Sequence, residues 1–206
     1  MKSKLLVIFS ILGILIGGHY FAGYVSQFNN AYLYVIAFYW TWILISVFSL
    51  LKPSDIRGMY KVGVKWYWNL LALILFIPAF IAVFLPNIGL LKLNTMLALH
   101  LGLSIFNPWF EETYWRGLIS KYFDNNKIIS FFISCIPFGI SHPFLLGVNS
   151  RSLQGWQVFA GTFVTGAVWW IIYHQTKTLR GNIITHFIVN IAGMTGYVLA
   201  NMAVTS

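Results

Sequence analysis

The chain has 206 residues, of which 59% are hydrophobic and only 8% are charged. So few charged residues cannot cover the surface of a water-soluble domain of this length, so the composition predicts a polytopic membrane protein. The net charge of +9 does not indicate nucleic-acid binding, because the Lys and Arg residues are scattered at the ends of apolar segments. The single cysteine, Cys135, excludes an intramolecular disulfide and a Cys-x-x-Cys metal site.

Seven apolar segments are each about 20 residues long, which is the length of a membrane-spanning helix. They cover approximately residues 5–25, 31–51, 69–91, 96–119, 128–147, 155–174 and 182–204. We interpret the first as an uncleaved span, because its apolar run is longer than that of a signal peptide. The sequence therefore predicts an all-α transmembrane bundle of about seven spans, forming a single membrane-embedded domain over residues 1–206.

The distribution of Lys and Arg predicts the orientation of this bundle. If the N-terminus is cytoplasmic, ten basic residues lie on the cytoplasmic side and two lie outside. The ten are Lys2, Lys4, Lys52, Arg57, Lys61, Lys65, Lys121, Lys127, Lys177 and Arg180, and the two are Lys92 and Arg151. We therefore expect a multi-pass protein of the cell membrane with the N-terminus inside and the C-terminus outside.

Two of the four acidic residues of the chain, Glu111 and Glu112, are adjacent within the fourth apolar segment. Ionisable side chains at membrane depth are costly and usually functional. Glu112 and Arg116 are four residues apart on a helix, so they can form an ion pair, whereas Glu111 has no cation at that spacing. We therefore expect Glu112 and Arg116 to form a structural pair and Glu111 to act as a general base.

Glu111 also continues a polar stripe along the same predicted helix, which we expect to line a wet cavity inside the bundle. The stripe consists of His100, Ser104, Asn107 and Glu111, at spacings of four, three and four residues. The alternative is that both glutamates only anchor the packing of helices.

Polar groups also interrupt the fifth and seventh apolar segments. Phe138 and His142 share one helix face in the fifth segment, and His186 and Asn190 share one in the seventh. Because each histidine lies well inside its span and has a spaced partner, we select these two for chemistry. We interpret the remaining histidines as capping or interfacial residues; they are His19, His100 and His174.

Glu111, His142, His186 and Asn190 could converge on one water. The glutamate and one histidine would deprotonate it, while the other histidine and the asparagine would stabilise the oxyanion of an attacked carbonyl. Two histidines and a glutamate also match a catalytic zinc ligand set, and the residues alone leave both readings open. A dyad of Cys135 and His142, seven residues apart, is a third and weaker arrangement.

The three motifs together resemble those of the CPBP family, the CAAX-processing and bacteriocin-processing membrane proteins, also called Abi. The matching motifs are Glu-Glu-xxx-Arg at Glu111, Glu112 and Arg116, Phe-xxx-His at Phe138 and His142, and His-xxx-Asn at His186 and Asn190. They occur in the family's order over residues 95–193, which we therefore expect to be the catalytic core. The family includes the Ras-converting type of prenyl endopeptidase, which removes the last three residues of CAAX proteins.

The resemblance implies roles for these residues. Glu111 and His142 would activate the water, His186 and Asn190 would form the oxyanion site, and Glu112, Arg116 and Phe138 would support them. We favour a mechanism with no obligatory metal; a bound metal would be zinc on Glu111, His142 and His186. One geometric difficulty concerns the depth of the two histidines, which must be equal if they share a site. His142 lies about 22 Å along its helix from the cytoplasmic end, whereas His186 lies only about 9 Å from the cytoplasmic end of its own helix. The fifth helix would therefore tilt, bend at Pro137 or begin deeper.

The expected function is hydrolysis of a peptide bond near the C-terminus of a prenylated CAAX-type peptide or of a small leader, pheromone or bacteriocin peptide. The partners would be this membrane-associated or lipidated substrate and the bilayer, with no nucleic acid. The main alternative is a non-catalytic bacteriocin immunity or membrane scaffold protein. A proton-coupled transporter is disfavoured, because the chain lacks repeated halves.

Overall fold

The computed structural model describes residues 2–81, 85–87 and 94–194, and every regular element within these ranges is a helix. The α-helices are α1 (Lys2–Leu12), α2 (Gly18–Val25), α3 (Ala31–Leu50), α4 (Pro53–Met59), α5 (Leu73–Ala79), α6 (Leu85–Asn87), α7 (Asn94–Glu111), α8 (Ile119–Phe123), α9 (Lys127–Phe144), α10 (Trp156–Thr176) and α11 (Arg180–Val189). The π-helical segments Gly13–Gly17, Glu112–Leu118 and Asn190–Met194 follow α1, α7 and α11. Short 3₁₀ helices are Trp66–Ala72, Leu146–Val148 and Arg151–Leu153. The predicted all-helical fold is confirmed.

Three helices of the described chain are long and apolar enough to cross a membrane: Ser3–Val25, Ala31–Leu50 and Lys127–Val148. They coincide with the first, second and fifth predicted spans. Many of their large apolar side chains are exposed, Phe9 and Phe48 among them, as expected of surfaces that face lipid. The described part of the third predicted span contains a shorter apolar helix, Trp66–Pro78. Residues 82–84 and 88–91 of this span, and residues 195–204 of the seventh, lie outside the described residues.

The centre of the bundle is one continuous helix made of α7, the π segment Glu112–Leu118 and α8. Every residue from Glu111 to Ser120 is buried. This stretch contacts α3, α4, α9 and α10, so it is enclosed by helices from both halves of the chain. The predicted fourth span is therefore the axis around which the other helices pack.

Helices α9 and α10 form an antiparallel pair beside this axis. Phe131 contacts Trp170 near one end, with ring centroids 5.3 Å apart, and Thr162 donates a hydrogen bond to the Gly139 carbonyl near the other end. Asn126 caps α9, because its side-chain oxygen accepts hydrogen bonds from the backbone N–H groups of Ile128 and Ile129. Helix α9 thus begins at Lys127, one residue before the start predicted from the sequence. A deeper start of this helix is therefore not the way in which His142 reaches the depth of His186.

Gly166 allows α10 to approach the central helix closely. A Cβ atom at this position would lie 2.9 Å from the ring of Phe138 and 3.1 Å from the guanidinium of Arg116. We expect Gly166→Ala to destabilise the protein by about 1–3 kcal/mol through overpacking. Gly161→Ala, on the same helix, is the matched control, because a Cβ there meets nothing within 4 Å. Thermal unfolding in detergent checks this; equal melting temperatures for the two variants would contradict it.

Candidate active site

Glu111 is the last residue of α7 and Glu112 is the first residue of the π segment. A π turn contains more residues than an α turn, so neighbouring side chains are separated by less than the usual angle of about 100°. The two carboxylates consequently point toward a common neighbour, the imidazole of His186 on α11. The proximity of Glu111 to His186 agrees with the predicted convergence of these two residues, whereas the contact of Glu112 with the same imidazole was not predicted.

The buried Glu112 carboxylate has three partners. Its Oε1 atom lies 3.2 Å from Arg116 Nη1 and 3.0 Å from His186 Nδ1, and its Oε2 atom accepts a hydrogen bond of 3.0 Å from the Asn182 amide. The ion pair predicted from the four-residue spacing is therefore present. Glu112 also holds His186, a contact between two segments 74 residues apart that the spacing does not predict.

The Glu111 carboxylate accepts one hydrogen bond on each oxygen. Tyr39 donates to Oε1 at 2.9 Å and the Asn107 amide donates to Oε2 at 2.8 Å. His186 Nε2 lies 3.5 Å from Oε2. Among the described residues, no arginine or lysine contacts Glu111, which agrees with the prediction from the helix spacing. The basic group that does contact it is His186, which is a cation only when its imidazole is protonated.

The partners of His186 determine where its protons lie. A carboxylate only accepts hydrogen bonds, so Nδ1 must donate to the ionised Glu112. The imidazole is stacked on the indole of Trp169, with centroids 3.9 Å apart, which fixes the plane of the ring. Nε2 therefore points toward Glu111, and a proton at this nitrogen would face a carboxylate oxygen.

His142, near the end of α9, is half-buried and makes no direct hydrogen bond to Glu111 or His186 in the described structure. Its Nδ1 atom lies 3.0 Å from the Phe138 carbonyl and must donate to it, which leaves Nε2 as the acceptor. Its ring contacts that of Phe138, which in turn lies against the guanidinium of Arg116. His142 therefore borders the cluster despite the mismatch in helix depth.

Phe138 packs between His142 and the ion pair. Its ring centroid is 4.9 Å from that of His142 and 4.3 Å from the guanidinium carbon of Arg116. A cation over an aromatic face is attracted by the ring quadrupole, so Phe138 stabilises the buried guanidinium. Trp169 contacts the same guanidinium at 5.4 Å.

Asn190 is buried one turn after His186, at the start of the π segment Asn190–Met194. Its side chain makes no hydrogen bond to a described residue. In the predicted polar stripe, Asn107 contacts Glu111, while His100 Nδ1 and Ser104 Oγ are buried without a hydrogen-bond partner in the described structure. The wet cavity along this stripe stays a prediction.

Three residues of the site are not indicated by the sequence motifs: Tyr39, Asn182 and Trp169. Asn182 precedes His186 by four residues, so its position on the same helix face was a usable signal. Tyr39 and Trp169 lie among many other aromatic residues, and nothing in the local pattern distinguishes them.

No group of three His, Cys, Asp or Glu side chains in the described part of the chain is arranged to hold a metal ion. Zinc on Glu111, His142 and His186 therefore stays a prediction. Cys135 is buried, and no hydrogen bond joins it to His142 among the described residues, so the dyad also stays a prediction.

A family model described as Rce1-like, type II CAAX prenyl endopeptidase Rce1-like, matches residues 64–192. The match begins before residue 95, so it includes the third apolar segment as well as the predicted core. No curated protein and no solved structure matches the chain.

Proposed function

The chain belongs to the Rce1-like family of type II CAAX prenyl endopeptidases, and from this premise we propose that it is a membrane-embedded peptidase. Its substrate would be a prenylated CAAX-type peptide, cut near the C-terminus, or a small leader, pheromone or bacteriocin peptide. The observation that carries the proposal is the placement of His186 between two buried glutamates. An imidazole held by one carboxylate and directed at a second one suits the handling of a water and, when both of its nitrogens are protonated, of an oxyanion.

In this proposal Glu111 and His142 share the activation of water. Glu111 removes a proton from the water, assisted by the acceptor nitrogen of His142, and the resulting hydroxide forms a C–O bond with the carbonyl carbon. The C–N bond then breaks, and the proton returns to the leaving amine. The hydrogen bonds from Tyr39 and Asn107 use only part of the accepting capacity of the Glu111 carboxylate, so it can still accept from water.

His186 and Asn190 would stabilise the oxyanion of the tetrahedral intermediate. In this proposal His186 carries a proton on each nitrogen. Once Glu111 has taken the proton of the water, its carboxyl group is neutral and no longer competes for the Nε2–H of His186. That donor is then available to the oxyanion, together with the Asn190 amide. Glu112 stabilises the imidazolium through Nδ1, and Arg116 and Phe138 keep Glu112 in place.

The proposal also extends to topology and location. We place the chain in the cell membrane with seven crossings, the N-terminus inside and the C-terminus outside, on the basis of the Lys and Arg distribution. Residues 1–206 form one membrane-embedded domain in this arrangement. Substrates would enter from the cytoplasmic side, because Glu111 and His186 lie nearer to that end of their helices.

The mechanism requires no metal, so we expect cleavage to continue at an unchanged rate after treatment with EDTA or 1,10-phenanthroline. The support is that Glu111 and the acceptor nitrogen of His142 can together take the proton of a water without the help of a metal ion. The measurement is peptide cleavage by the purified protein with and without chelator. Loss of cleavage that is restored by zinc would overturn the metal-free mechanism.

The function itself is tested by incubating the purified protein with a farnesylated CAAX peptide and with leader peptides, and identifying products by mass spectrometry. Release of a C-terminal tripeptide supports a prenyl endopeptidase, and cleavage of a leader peptide alone supports peptide maturation. In the non-catalytic immunity alternative, no peptide is cut and protection against a bacteriocin survives the change of Glu111 to Gln.

A further inference from the structure

Helix α3 supplies two adjacent residues whose hydrogen bonds lead to the two oxygens of Glu111. Tyr39 donates directly to Oε1 at 2.9 Å. Trp40 Nε1 donates to Asn107 Oδ1 at 2.8 Å, and Asn107 Nδ2 in turn donates to Glu111 Oε2 at 2.8 Å. Both residues precede the segment 64–192 that the family match covers.

The direction of each hydrogen bond in this arrangement is determined. The indole N–H of Trp115 donates to the Tyr39 oxygen at 2.8 Å, so the Tyr39 proton is directed at Glu111. The indole N–H of Trp40 requires an acceptor, so the Asn107 amide presents its oxygen to Trp40 and its nitrogen to Glu111. Rotation of this amide would lose both bonds.

The bonds from Trp115 to Tyr39 and from Tyr39 to Glu111 are buried, and those of the Asn107 amide are part-buried. Tyr39 and Trp115 are both 0% exposed and Glu111 is 1% exposed, so loss of the Tyr39 donor would leave a buried carboxylate oxygen without its partner. Hydrogen bonds to an ionised group are stronger than those between neutral groups, and more so away from water. Donors on both oxygens hold the carboxylate plane in one orientation, with Oε2 toward His186 Nε2.

We infer that Tyr39 and Trp40 are positioning residues for the general base Glu111, Tyr39 directly and Trp40 through the Asn107 amide; the inference rests on the proposed peptidase function. Neither side chain makes a hydrogen bond to His142, His186 or Asn190 among the described residues. Helix α3 thus provides a part of the site that the family's motifs do not contain.

Two matched pairs of variants test this inference. Tyr39→Phe is compared with Tyr114→Phe, because Tyr114 is equally buried and its hydroxyl bonds to Ser10. Trp40→Phe is compared with Trp42→Phe, because Trp42 lies on the same helix and its indole N–H donates to the Ser10 carbonyl. Each control loses a comparable hydrogen bond without affecting Glu111.

For cleavage of a farnesylated CAAX peptide, we expect Tyr39→Phe to lower kcat on the order of tenfold at unchanged KM, given the strength of hydrogen bonds to charged groups. Trp40→Phe should lower kcat by less, since the Asn107 amide can still donate in part of the population. Both controls should keep the wild-type kcat.

Infrared spectroscopy provides a second measurement that does not depend on activity. The carboxylate bands of Glu111 are assigned as the difference between the wild type and Glu111→Gln, and they should shift in Tyr39→Phe and Trp40→Phe but not in the controls. Equal kcat and equal bands for Tyr39→Phe and Tyr114→Phe would overturn the inference. If the wild type cuts none of the peptides, the proposed function fails and the infrared bands alone decide the positioning role.

Discussion

Glu111→Gln is expected to lower peptide cleavage by about 10²–10⁴-fold, the usual contribution of a general base. The glutamine side chain has nearly the same shape as glutamate, and its amide oxygen can still accept the hydrogen bond from Tyr39. It cannot take a proton from water. Its amide nitrogen also meets the Asn107 amide nitrogen, so one hydrogen bond is lost and a modest loss of stability follows.

The measurement is kcat of the purified variant, together with its amount in the membrane and its melting temperature. Asp55→Asn is the control for removal of an acidic group, because Asp55 bonds to Lys121 far from the site. That hydrogen bond lowers the pKa of the Asp55 carboxyl, and its loss should leave cleavage unchanged. A Glu111→Gln protein that is folded and fully active would exclude Glu111 as the base.

The sequence predicts the parts of the site that depend on spacing within one helix. Glu112 and Arg116 pair as expected, since residues four apart are neighbours on a helix surface whatever surrounds them. The burial of the acidic pair is also predictable, because two carboxylates within an apolar span must face the interior of the bundle. The family follows from the order of the three motifs, and the match over residues 64–192 confirms it.

The remaining contacts depend on geometry that no local pattern encodes. The π segment at Glu112–Leu118 changes the angle between the side chains of Glu111 and Glu112. Both carboxylates therefore lie near His186, although the spacing along the helix predicts a partner for Glu112 alone. Tyr39 and Glu111 are 72 residues apart, so their contact depends on how α3 packs on the central helix. Helix α10, predicted as the sixth span, is less apolar than the three described helices that are long and apolar enough to cross a membrane. It carries Trp169 against His186 instead.

Arg116→Met is expected to destabilise the protein by about 3–5 kcal/mol, the cost of leaving one charge of a buried ion pair uncompensated. Arg116 and Glu112 are both fully buried, and the Arg116 guanidinium lies over the ring of Phe138. Methionine fills much of the same volume, so the lost charge rather than a cavity accounts for the change. Unfolding of the purified variant in detergent measures it.

A second variant separates stability from chemistry. Adding Glu112→Gln to Arg116→Met removes the uncompensated charge, so we expect recovery of about half or more of the lost stability, as for buried pairs replaced together. Cleavage should stay low, on the order of tenfold or more below the wild type, because glutamine cannot hold His186 as a charge-assisted acceptor. If the double variant recovers both stability and kcat, Glu112 does not position His186. If Arg116→Met alone keeps the wild-type stability, Arg116 does not compensate the charge of Glu112.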